Sequence, residues 1–193
     1  MRKLLVLMLG SFLLRLVVYS ATAQETNLCW PVPATRLEAF ETNTDTVVIK
    51  GTAPIGAVAA QSGSVSVRCR EITDAGTGRR ESGIIFDIAF GQQLEDSLLV
   101  DYEELDVLLD GLEYLNKVDW TITTLPSFDA VYTTKGGFRA AAFGSRRTGN
   151  IEFAVRSMRT PRHPLLLTRD QLGQLRSLVE QAKARLDSLR KTK

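Results

Sequence analysis

Residues able to do chemistry are few: one histidine, His163, and two cysteines, Cys29 and Cys69, stand among 193 residues. His163 is therefore the sole candidate base for a serine or cysteine triad, and metal sites built from several histidines are excluded. No cysteine or carboxylate stands near His163 at metal-ligand spacing, so it reads as a surface turn residue between Arg162 and Pro164. Asp101, Glu103, Glu104, Asp106 and Asp110 crowd one predicted helix start, where the macrodipole favours negative charge and capping accounts for them. Glycoside hydrolysis needs two opposed carboxylates about 5–9 Å apart, which neighbours on one helix do not supply. A carboxylate-based, sugar-acting hydrolase is accordingly the least favoured function. No catalytic residue, metal or cofactor is assigned.

The densest basic group is Arg146, Arg147, Arg156, Arg159 and Arg162, on one predicted loop and the strand and turn after it. It reads as a solvated surface or as an anion-binding face. Residues 24–125 hold 7 basic and 17 acidic residues, net −10, whereas residues 126–193 hold 14 and 5, net +9. Such asymmetry favours docking of the two halves on each other; kept apart, the basic half offers a surface to anions. Gly76-Thr77-Gly78 and Gly136-Gly137 precede strands or charged loops and suit tight turns, not a phosphate loop. Trp120 and Tyr132 fall on predicted strands, where either serves as a stacking platform or as core.

The first 23 residues have the form of an export signal. Met1-Arg2-Lys3 is basic, Leu4 to Leu14 is apolar apart from Gly10 and Ser11, and Ala21-Thr22-Ala23 fits a cleavage site. Arg15 cuts the apolar run short of the roughly 20 residues of a membrane span. The expectation is a soluble exported protein, periplasmic or secreted, beginning at Gln24. In an oxidising compartment Cys29 and Cys69 either form one disulfide or remain two buried thiols.

The elements that position these residues follow from an internal duplication. Asp96 to Leu105 and His163 to Leu172 share one pattern at an offset of 67: three apolar residues, an N-cap, then an acid or amide three positions on. At the same offset Ile84, Phe86 and Ile88 match Ile151, Phe153 and Val155, with the period-two alternation of half-buried strands. Upstream the offset is 73, aligning Ala57-Val58, Gly63 and Val65 with Ala130-Val131, Gly136 and Phe138, and the six-residue change is expected in the loop Thr73–Ser82. Val47 and Ile49 match Trp120 and Ile122 less well. The reading is α+β: a lead-in over 24–45 with a short helix at 33–42, tandem ββββα repeats over 46–117 and 118–190, and a tail at 191–193. Each antiparallel sheet is covered by its C-terminal amphipathic helix. Leu105, Leu108, Leu109, Leu112 and Leu115 line the first helix, and Leu172, Leu175, Val179, Ala182, Leu186 and Leu189 the second. The latter spacing also fits a heptad seam, so the expected monomer has a dimer through this helix as its alternative.

A duplicated ββββα unit whose helix follows a Leu-rich strand resembles the single-strand nucleic-acid binders of the Whirly and Pur type. Lys135-Gly136-Gly137-Phe138-Arg139-Ala140-Ala141-Ala142 is similar to the Lys-Gly-Lys-Ala-Ala strand of Whirly proteins, with the motif broken at Gly137-Phe138. The resemblance implies nucleic-acid contacts through Lys135, Gly136 and Arg139, against which export argues. The leading expectation is an exported, non-catalytic binding or scaffold protein of unknown ligand. An anion or nucleic-acid binder using the basic second repeat is the alternative.

Overall fold

The apolar alternation becomes two four-stranded antiparallel sheets, each with its strands side by side in chain order. The computed structural model describes residues 32–91, 93–160 and 163–191. Residues 1–23, Cys29 and Arg162 lie outside them. After α1 (Arg36–Glu41), the first sheet contains β1 (Val48–Ala60), β2 (Gly63–Asp74), β3 (Arg80–Phe90) and β4 (Gln93–Asp101). A single 3-10 turn leads into α2 (Leu105–Lys117). The second sheet contains β5 (Ser127–Thr133), β6 (Phe138–Ser145), β7 (Asn150–Ser157) and β8 (Leu165–Leu167), followed by α3 (Arg169–Lys191). Among the described residues no helix is long and apolar enough to cross a membrane.

Each helix lies mainly on the sheet of the other half, α3 touching β7 and β8 of its own only lightly. α3 lies along β1 and β2, whereas α2 lies on β5 and β6 and packs against α3. Lengths account for this exchange. At ~1.5 Å per residue, α3 with 23 residues spans about 35 Å. Strands β1–β3, with 11–13 residues, span roughly 36–43 Å. α2 has 13 residues, about 20 Å, and meets strands of 7–8 residues, about 23–26 Å long. At Gly111 α2 approaches β5 so closely that a Cβ would stand 2.6 Å from the Tyr132 ring. Stacked rings of Phe86 and Phe138, 4.0 Å between centroids, join the two inner faces in one core.

Several expectations are corrected in register. The added length falls mainly in the strands, β2 and β3 having 12 and 11 residues against 8 and 8 in β6 and β7, while the connecting loops hold five and four residues. Phe86 and Phe153 both lie buried on the third strand of their sheets, yet Phe86 pairs with Val67 and Leu98 while Val155 holds the matching place between Ala140 and Leu165. The slip is two residues, which leaves every side chain on its own face and so leaves the alternation unchanged. Trp120 and Ile122 lie in a turn, and β5 begins only at Ser127.

Caps follow the sequence at one end only. Thr168 and Gln171 close a reciprocal box, each backbone N–H donating to the other's side chain. Asp101 makes no such bond to α2; its carboxylate accepts the N–H groups of Arg36 and Leu37 and anchors α1. Leu37 and Phe40 of α1 consequently cover Ile72, Ile85 and Leu99 on the outer face of the first sheet.

The halves meet through opposite charges. Arg176 pairs with Glu113 at 2.9 Å, Lys183 with Asp106 at 3.3 Å, and Arg159 with Glu38. The Tyr102 hydroxyl donates to Asp187, and the Arg190 guanidinium stacks 4.0 Å from the Tyr102 ring centroid. That hydroxyl, with Lys183 nearby, holds the Asp187 carboxyl below the usual carboxylate range. Leu186 is buried by the chain's own core, whereas Leu189 is 41% exposed.

Two predictions follow from this junction. Gly136 is buried where a Cβ would collide with the Leu99 carbonyl oxygen of β4, so the β5–β6 turn docks only with glycine there. Gly136→Ala should cost about 1–3 kcal/mol in urea unfolding, because backbone must shift to admit the methyl group. Because the folded pKa of Asp187 is depressed, its contribution is present above the unfolded value of about 3.9 and is lost as pH falls through the folded value. The urea midpoints of wild type and Asp187→Asn should therefore differ at pH 6 and converge below about pH 4; a gap unchanged down to pH 2 would show that the charge of Asp187 is not involved.

Candidate functional site

Pairing places three rows of side chains on the outer face of the second sheet. Thr133, Arg139 and Arg156 stand in line across β5, β6 and β7, with Arg139 beside both of the others. Two residues along, Val131, Ala141, Ala154 and Leu166 form the middle row. Two more residues along stand Asp129, Phe143 and Glu152. Cationic, apolar and acidic rows thus succeed one another across a face that carries no helix among the described residues, whereas α1 covers the outer face of the first sheet. Ala141 and Ala154 lack bulk, and Asp129, Arg139, Phe143, Arg156 and Pro164 stand round them to line an open hollow of about 370 Å³.

Arg139 directly opposite Arg156 sets two like charges at neighbouring positions on one face, an arrangement that disfavours the sheet by itself. Among the described residues neither guanidinium has an ion pair, and Arg139 only approaches the Met158 sulfur at 3.7 Å. Two adjacent guanidinium groups over a small-residue floor present several N–H donors to one carboxylate or phosphate group.

The expected arginine group divides among different tasks. Arg146 donates to the carbonyls of Trp120, Thr123 and Leu125 and stacks on the Trp120 ring, bracing the turn before β5. Arg159 is held by Glu38, Arg147 stands exposed in the β6–β7 turn, and Arg162 lies outside the described residues. Only Arg156 of that group reaches the open face, where its partner is Arg139. Of the residues given by the Whirly resemblance, Lys135 is exposed with its backbone N–H on Glu104, and Gly136 is buried against β4. Both belong to the junction between halves. The Arg139–Arg156 pairing joins residues 17 positions apart and required the register Phe138↔Ser157; outward alternation along β6 was the available signal.

Cys69 is buried as a free thiol beneath α3, its Sγ donating to the Ala182 carbonyl at 3.5 Å, and burial pushes its pKa up. Its expected partner Cys29 lies outside the described residues. A second hollow, about 580 Å³, opens beside Trp120, Phe153 and Arg169. Its cation is already engaged, since Arg169 donates to the Asn116 and Val118 carbonyls and stacks on Phe153. Among the described residues no group of three or more His, Cys, Asp or Glu side chains gathers to hold a metal ion.

Compared with known proteins, the chain matches no family model, no curated protein and no solved structure.

Proposed function

We propose that this chain is a non-catalytic, exported binding protein, built as two ββββα units, that takes an anionic ligand on the outer face of its second sheet. The observation carrying this reading is the Arg139–Arg156 couple, without an ion pair among the described residues and set across two strands beside the alanine floor. A like-charge pair has a structural cost, and an anion seated between the two groups reverses its sign. Export is supported by the basic, apolar and small-residue succession of residues 1–23. The doubled unit is supported by the shared strand order and by a helix after each sheet. Coverage of Leu186 by the chain itself supports a monomer.

Butyrate is a sufficient probe, having one carboxylate and a short apolar body. Its addition should shift the amide resonances of Arg139, Ala141, Ala154 and Arg156 and raise the melting temperature. In Arg139→Ala/Arg156→Ala both responses should vanish, while stability without butyrate stays level or rises by a few tenths of a kcal/mol as repulsion is relieved. Shifts centred elsewhere, or responses surviving in the double variant, would refute the assignment.

A further inference from the structure

The two ends of this face carry opposite charge, which narrows the ligand class, and the argument rests on the anion-binding reading above. Beyond the alanine floor from the arginine row stand Asp129 and Glu152, either side of Phe143. Among the described residues neither carboxylate has an ion pair. Arg139 and Phe143 are four positions apart along β6, about 13 Å at ~3.3 Å per residue. A ligand lying along β6 therefore meets two cations, then Ala141 and Ala154, then two carboxylates.

We infer that the face takes a short zwitterion of tripeptide length, with its carboxylate between Arg139 and Arg156 and its ammonium at Asp129, Glu152 adding negative charge from the other side of Phe143. Three extended residues span at most about 10 Å, and side chains reaching in from both rows close the remaining gap. The open hollow of about 370 Å³, lined by both arginines and by Asp129, with Glu152 outside it, is of a size for such a molecule. A uniform polyanion fits poorly, because phosphates continuing beyond the arginine row come against Asp129 and Glu152, and like charges brought together at an interface disfavour that partner. The two arginines and two carboxylates leave the face with no net charge, although residues 126–193 as a whole carry net +9. Local placement of the charges thus selects a ligand that the overall balance would not.

Trialanine is the probe, titrated into the full protein and followed by amide resonances and by calorimetry. Capping its carboxylate as the amide, or its amine as the acetyl, should each weaken binding about tenfold, the effect of losing one charged hydrogen-bonding partner. Asp129→Asn/Glu152→Gln should erase the difference between trialanine and its acetylated form while leaving the preference over the amide. Equal binding of free and acetylated trialanine, both lost in Arg139→Ala/Arg156→Ala, would overturn the zwitterion and leave the anion site standing. Tighter binding of decathymidylate at the same arginines would likewise overturn it, in favour of a polyanion. If no carboxylate form responds to the arginine substitutions, the anion-binding reading itself fails.

Discussion

The first sheet is too long for the helix that follows it, and the rest of the fold answers that mismatch. Strands of 11–13 residues present an inner face that thirteen helical residues cannot span. The 23-residue α3, arriving from the far end of the chain, covers it. α2 is left for the shorter second sheet, where Gly111 lets it approach the Tyr132 ring. Each sheet thereby depends on a helix from the other half, and the Phe86–Phe138 stack closes the core where the inner faces meet. Neither half retains its native cover alone.

Charge reinforces the exchange and also explains what is left over. Arg159, Arg176 and Lys183 of the basic half meet Glu38, Asp106 and Glu113 of the acidic half, so much of the asymmetry visible in composition lies in the junction. Arg146 is likewise occupied, by three backbone carbonyls. Arg139 and Arg156 differ in kind, since alternation along β6 and β7 turns both onto the outer face, where among the described residues neither has an ion pair. A rigid sheet, braced from behind by α2, thus holds its open face and opposed charges at fixed spacing.

Strands, helices and their apolar faces were legible in the sequence because burial imposes periods of two and 3.6 residues, as at Ile84, Phe86 and Ile88 or Leu105, Leu108 and Leu112. Which helix serves which sheet was not, since amphipathicity names a face without naming its partner; element lengths held that information. A two-residue slip was invisible for the same reason, leaving Phe153 on its expected face one row away. Asp101 had the form of an N-cap for α2, but a carboxylate bonds whichever N–H groups tertiary structure delivers, and those belong to Arg36 and Leu37, 64–65 residues earlier. The candidate site was half legible. Arg156 and Arg139 were each singled out for different reasons, and only strand register showed that they stand together.

Native-state hydrogen exchange tests most directly whether the two sheets form one interlocked unit. Core amides of β2 and β3 and those of β6 and β7 should share one opening free energy and one dependence on denaturant, because neither sheet can lose its borrowed helix without the other. A second sheet that opens at lower free energy with a smaller denaturant slope, while β2 and β3 remain protected, would contradict the exchange and the rigid binding face built on it.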